Sequence, residues 1–111
     1  MLESVFGGKN VEKVFFFMLI NERCYGQQLS RNFKQALSPF QNVLDRLETG
    51  GIVVSFLEGK TRCYQFNPRY PFLQELKAFL VKAYAFLPQE IKDEYYEPMV
   101  RKRPRRKGKP I

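Results

Sequence analysis

There is no histidine anywhere in these 111 residues, and no tryptophan. The absence of histidine removes the commonest general base and the commonest metal ligand. It also removes every Ser–His or Cys–His nucleophile pair that one chain could assemble by itself. Cysteine is scarce: Cys24 and Cys63 are far apart, and neither a CxxC nor a CxC spacing occurs. A closed zinc site therefore has no support. No apolar run approaches the roughly 18 residues that a membrane span needs. Val14 to Ile20 is the best candidate and is far too short. It is followed by Asn21, Glu22 and Arg23 rather than by a small-residue cleavage site, so it does not read as a secretory signal. No internal repeat is visible. These absences lead us to expect a chain without catalytic residues, metal or cofactor, and therefore not an enzyme. The expected location is cytoplasmic, at the nucleoid, with reduced thiols.

What is present is phenylalanine and positive charge. There are 11 Phe, and 44% of residues are hydrophobic, enough for one packed domain without disulfides. The net charge of +8 is unevenly placed. Residues 1–70 carry +3, residues 71–100 carry −2, and residues 101–111 carry +7. A nearly neutral folded part, spanning residues 1–97, is thus expected to precede a basic tail at 98–111. A cationic tail on a suitable fold is a stronger sign of nucleic-acid binding than a basic pI alone.

Periodicity places the elements. Val11, Val14, Phe15, Met18 and Leu19 recur at helical spacing, with Phe16, Phe17 and Ile20 widening the stripe. This predicts a helix from about Asn10 to Glu22 that is buried on most sides. A short helix over Gln27 to Phe33 follows, with Leu29 and Phe33 inward. The third helix is expected to start at Ser38 as N-cap, with Pro39 at the first helical position and Gln41 completing a capping box. Phe40, Leu44 and Leu47 mark its inner face, and Gly50-Gly51 ends it. Ile52 to Leu57 and Cys63 to Phe66 read as two strands of a hairpin turning at Glu58-Gly59-Lys60. Tyr64 and Phe66 are expected in the core. A long helix from Pro71 to Phe86 comes next, then a short helical segment from Gln89 to Tyr96.

Helix, short helix, capped helix, hairpin, long helix is the order of a winged helix-turn-helix: mainly α, with a small β-hairpin as the wing. The run from Leu29 to Pro71 resembles the winged domain of the ArsR and MarR-like bacterial regulators. The matching residues are Leu29-Ser30-Arg31, Leu37-Ser38-Pro39, Val43-Leu44-Asp45-Arg46-Leu47-Glu48-Thr49-Gly50-Gly51-Ile52-Val53, and the wing from Glu58 to Pro68. Asn32 to Ala36 is about two residues longer than the usual turn. The paired cysteines of metal-sensing members are missing at Cys24 to Leu29, so metal sensing is not carried over. The resemblance implies a dimeric regulator of double-stranded DNA, repressor-like in action.

On the third helix, Ser38, Gln41, Asn42 and Arg46 are the expected groove contacts, since Gln and Asn match adenine and Arg matches guanine. In the wing, Lys60 and Arg62 are expected on phosphates or in the minor groove. In the tail, Arg101, Lys102, Arg103, Arg105, Arg106, Lys107 and Lys109 form a cationic arm for phosphates or a minor groove. A nuclear-import signal or a solubilising tail reads the same way. On the last helix, Phe72, Leu73, Leu76, Phe79, Leu80, Ala83, Tyr84 and Leu87 are expected to form a homodimer interface. The rival for that helix is monomer core. Two rival functions stay open. One is a winged-helix protein-interaction or RNA-binding module; the other is a thiol redox sensor built on Cys24 and Cys63.

Overall fold

The computed structural model describes residues 1–99. The expected tail contacts from Arg101 to Lys109 lie outside the described residues. The elements in chain order are α1 (Glu3–Phe6), α2 (Lys9–Asn21), β1 (Arg23–Cys24), α3 (Gly26–Phe33), α4 (Leu37–Thr49), β2 (Val53–Glu58), β3 (Thr61–Phe66), α5 (Leu73–Tyr84) and α6 (Gln89–Ile91). A π-helical turn, Lys92–Tyr96, follows α6. This is a winged helix fold, with three strands in the order β1-β3-β2, all antiparallel. Among the described residues no helix is long and apolar enough to cross a membrane.

The centre of the core is α2. Three consecutive phenylalanines, Phe15, Phe16 and Phe17, are all buried, so this helix is enclosed on several sides at once. Phe15 meets Phe6 of α1 and Phe66 of β3. Phe16 meets Tyr84 of α5 and Tyr96 of the π-turn, and Phe17 meets Phe33 of α3. Five other elements thus find a ring of α2 to cover, which explains why the middle of the helix is apolar all round while Lys9 and Lys13 keep polar groups at its start.

Four elements depart from the sequence reading, the first being α1, a short helix at Glu3–Phe6 that the periodicity did not mark. The strand β1 was not expected. Arg23 and Cys24 pair with Gln65 and Tyr64, because the chain turns sharply at Glu22, whose φ is 76°, and runs back along β3. The third helix begins two residues earlier than the capping-box pattern predicts. Its N-cap is Ala36, without a side-chain cap, so Ser38 is not the cap and Pro39 sits at the third helical position. Proline is tolerated there because the first four N–H groups of a helix have no intrahelical acceptor. Gln41 is not part of a capping box either; its amide is engaged elsewhere. The last helix is shorter than expected, closing at Tyr84 rather than Phe86.

The final helix also divides differently from the sequence expectation. Leu80 is fully buried and Tyr84 is 9% exposed, and both belong to the chain's own core rather than to an outer face. Leu73, Leu76, Ala83 and Leu87 are half-buried against that core. Phe72 and Phe79 are exposed. The π-turn is fastened too: Asn21 donates to the Tyr96 carbonyl and Asn32 to the Tyr95 carbonyl, each at 2.9 Å.

Candidate nucleic-acid interface

The pair α3 and α4 is joined by Lys34, Gln35 and Ala36. Lys34 adopts the left-handed conformation (φ 57°), which turns the chain out of α3. Two reciprocal bonds close the turn: the Gln35 N–H donates to the Ser30 carbonyl, and the Ser30 hydroxyl donates to the Gln35 carbonyl. Gly26 opens α3 where it crosses α4. A Cβ there would lie 2.8 Å from Gln41 Oε1 and 2.9 Å from Leu37 Cδ1. Glycine is therefore what lets the two helices approach with Gln41 in its observed position.

Phe40, Val43, Leu44 and Leu47 turn the inner face of α4 into the core. Ser38, Asn42, Asp45, Arg46 and Thr49 are exposed on the other side. The wing is held against one flank of this helix. Gln41 Nε2 donates to the Tyr64 hydroxyl at 3.0 Å and to Asp45 Oδ1 at 3.1 Å. Burial of the Tyr64 ring raises the pKa of its phenol and keeps it neutral, with Gln41 opposing that shift. Farther along, Arg62 donates to Ser55 Oγ at 3.0 Å and Ser55 donates to Glu48 at 2.6 Å. Arg62 and Glu48 are thus linked through the Ser55 hydroxyl rather than by a direct ion pair. At the hairpin tip Gly59 has φ 64° and Lys60 does not share the positive φ, which suits a primed two-residue turn and leaves Lys60 exposed.

The expected contact residues thus fall into three groups. Ser38, Asn42 and Lys60 are exposed and make no side-chain hydrogen bond or ion pair among the described residues. Gln41 and Arg62 are committed to the helix–wing junction, so their freedom to meet a base or phosphate is reduced. Arg46 is exposed on the opposite flank of α4, where it faces the start of α2. There it stands near Lys9 and Lys13, two cations that sequence reasoning missed. Their spacing on α2 is visible in the sequence, but their approach to Arg46 is a tertiary fact.

A cleft of about 800 Å³ runs between α1, the end of α4 and α5. Val5, Phe6, Leu47, Leu76 and Phe79 give it apolar walls, and Arg46 and Glu75 stand at it. Beside it Phe72, Phe79 and Phe86 are 62%, 43% and 74% exposed.

The two thiols lie on adjacent strands but do not share a face. Cys24 is paired with Tyr64 and Cys63 with Phe56, and directly paired residues point the same way. A Cys24–Cys63 bridge would need the backbone to move. Burial pushes the Cys24 thiol far above its usual range; burial and a contact with Glu58 raise that of Cys63. Thiolate, the reactive form, is thus suppressed at both. Iodoacetamide at pH 7.5 is expected to label native Cys24 only as fast as the protein unfolds. Rapid labelling of Cys24 in folded protein would contradict this.

No family model matches the chain, and no curated protein matches it. Among solved structures it is similar to a MarR family transcriptional regulator from Silicibacter pomeroyi. The TM-score is 0.53 at 15% sequence identity, over 75% of this chain and 59% of that one. The chain therefore spans about three fifths of the neighbour's length. At this identity the likeness establishes the winged helix fold and nothing finer.

Proposed function

We propose that the chain is a sequence-specific, double-stranded DNA-binding transcriptional regulator, repressor-like in action, with α4 as the helix that enters the major groove. The observation that carries this reading is the division of α4. Its inner face is sealed into the core, its outer face is free, and a hairpin is braced along one flank. A helix presented in this way fits a major groove about 12 Å wide, with the wing reaching the adjacent backbone. Asn42 and Ser38 are assigned to base edges, Lys60 to the backbone, and Gln41 and Arg62 to holding helix and wing in register. The basic residues from Arg101 to Lys109 supply affinity through counterion release. Such a regulator works in the cytoplasm, at the nucleoid.

We propose further that it binds as a homodimer. The residues Phe72, Leu76, Phe79, Ala83 and Phe86 step by four and three along and just beyond α5, the spacing of a two-helix seam. Only the exposed share of each ring, 62%, 43% and 74% for Phe72, Phe79 and Phe86, is free to enter an interface. These rings supply part of the ~800 Å² per partner that a stable contact needs, and Val5 and the apolar cleft beside them extend the same face.

The test of the reading role is Asn42→Ala. The side chain is exposed, so stability is expected to stay within about 0.5 kcal/mol. Discrimination between the preferred duplex and one altered at the contacted base pair is expected to fall by about 1–3 kcal/mol. Gln41→Ala is expected to weaken binding to both duplexes, because it loosens the wing. Unaltered preference in Asn42→Ala would remove α4 from the reading role. Equal affinity for single strands or for RNA would favour the rival module.

A further inference from the structure

We infer that the recess between the start of α2 and the flank of α4 is a phosphate-binding site, and that it takes a backbone phosphate of the bound duplex on the side of α4 away from the wing. The second half of this inference rests on the duplex-binding reading above; the first half does not.

The recess has a volume of about 400 Å³. Lys9 and Lys13 of α2 and Arg46 of α4 line it, with Gln35 and Gly8 between them. No carboxylate is among the lining residues described. Lys9 and Lys13 are four residues apart on one helix, an arrangement in which like charges repel. Arg46 from a second helix lines the same recess. None of the three joins an ion pair among the described residues. Glu12, the nearest acid on α2, is already engaged. It accepts the Leu2 N–H at 2.6 Å and pairs with the Met1 ammonium at 3.1 Å. The Lys13 ammonium is held below its usual pKa, first by burial and then by Lys9, with Glu12 offsetting part of this. It is also held in place, since it donates to Gln35 Oε1 and lies 5.3 Å from the Phe33 ring centre. Three cations thus line one recess, and one of them is positioned by Gln35; the acids near the two lysines, Glu3 and Glu12, lie on the neighbouring side, where both meet the Met1 ammonium. Gly8 adds no side-chain cap to the first turn of α2, so backbone N–H groups open on the same recess. A phosphate oxyanion satisfies all of these groups together.

The position fits a duplex. The Glu48–Ser55–Arg62 chain and the wing occupy one flank of α4, and the recess occupies the other. Two backbones border a major groove, and a helix lying in it meets one on each side. Arg46 is then a phosphate contact, not a reader of guanine.

The experiment uses the full chain. The variant Lys9→Gln/Lys13→Gln/Arg46→Gln is compared with wild type and with the charge-matched control Lys77→Gln/Lys82→Gln/Lys92→Gln. Affinity for a duplex of arbitrary sequence is measured against KCl concentration, and amide NMR shifts at residues 8–11 are followed during titration with inorganic phosphate. We expect the slope of log affinity against log salt to fall by roughly two to three units per chain in the recess variant, at about 0.9 per lost contact. The control is expected to lose less than one. Lys9→Arg/Lys13→Arg is expected to retain the wild-type slope. Should the triple variant not fold, Arg46→Gln alone is expected to lower the slope by about one unit. If wild type binds no duplex, yet phosphate shifts these amides in wild type only, the recess stands as a phosphate site and the duplex reading falls. If wild type binds duplex with a slope that the recess variant and control leave equal, and phosphate moves no amide there, the inference is wrong.

Discussion

Removing residues 101–111 is expected to flatten the salt dependence of duplex binding by roughly three to six units per chain. The segment carries seven cations and no acid, which is nearly the whole net charge of +8. Pro104 and Pro110 interrupt it, and neither can donate a backbone hydrogen bond. Its contribution is argued from charge alone. Each phosphate that it neutralises releases condensed counterions and adds about 0.9 to the slope, and some of the seven will hover without binding. The consequence is large. A fourfold rise in salt would then cost the full-length chain roughly a hundred to several thousand times more affinity than the truncated one. Specificity should change much less, because α4 remains. The check is a salt titration of both forms on a good and a poor site. An unchanged slope would assign the segment to a protein partner or to solubility. A slope change together with collapsed specificity would make it a reader of the minor groove.

Leu80→Ala and Phe79→Glu are neighbours with opposite expected outcomes. Leu80 is completely buried between α2 and α5, so truncation leaves a cavity and is expected to cost about 2–5 kcal/mol. For a domain of this size that lowers the melting temperature by about 10–30 °C. Phe79 keeps 43% of its surface open and touches the Phe6 ring at 6.0 Å between centroids. Its replacement by glutamate is expected to cost the monomer about 1 kcal/mol or less. It is also expected to convert the dimer into a monomer, because a charge cannot be buried in an apolar seam without a partner. Thermal unfolding and sedimentation equilibrium at micromolar concentration separate the two effects. A wild-type chain that sediments as a monomer would reduce the Phe72–Phe79–Phe86 row to ordinary surface.

How much of this was legible beforehand depended on the range of the interaction. The inner faces of α2, α3 and α4 were legible, since burial follows a 3.6-residue period and Phe40, Leu44 and Leu47 obey it. The hairpin was legible because β-branched and aromatic runs flank a glycine turn. The capping pattern at Ser38 misled, because the start of α4 is set by the Lys34 turn and the Ser30–Gln35 bonds, not by a side-chain cap. On α5 the apolar stripe was correctly seen but not divided. Tyr84 faces inward because Phe16 and Tyr96 lie against it, and Leu80, one turn earlier, is buried in the same core; no local pattern reports that. The same holds at the interface. Gln41 looked free until Tyr64 was brought against it, and nothing local singles out Lys9 and Lys13, which share a recess with Arg46 only through the tertiary fold.

Selection of bound duplexes from a randomised library, followed by sequencing, tests the central claim most directly. The full-length chain is expected to enrich a defined motif, twofold symmetric if two copies bind together. The chain without residues 101–111 is expected to enrich the same motif at lower salt, and Asn42→Ala to lose preference at one position in each half. Recovery of unenriched sequence by a folded wild-type chain, at any salt that still permits binding, would contradict the account.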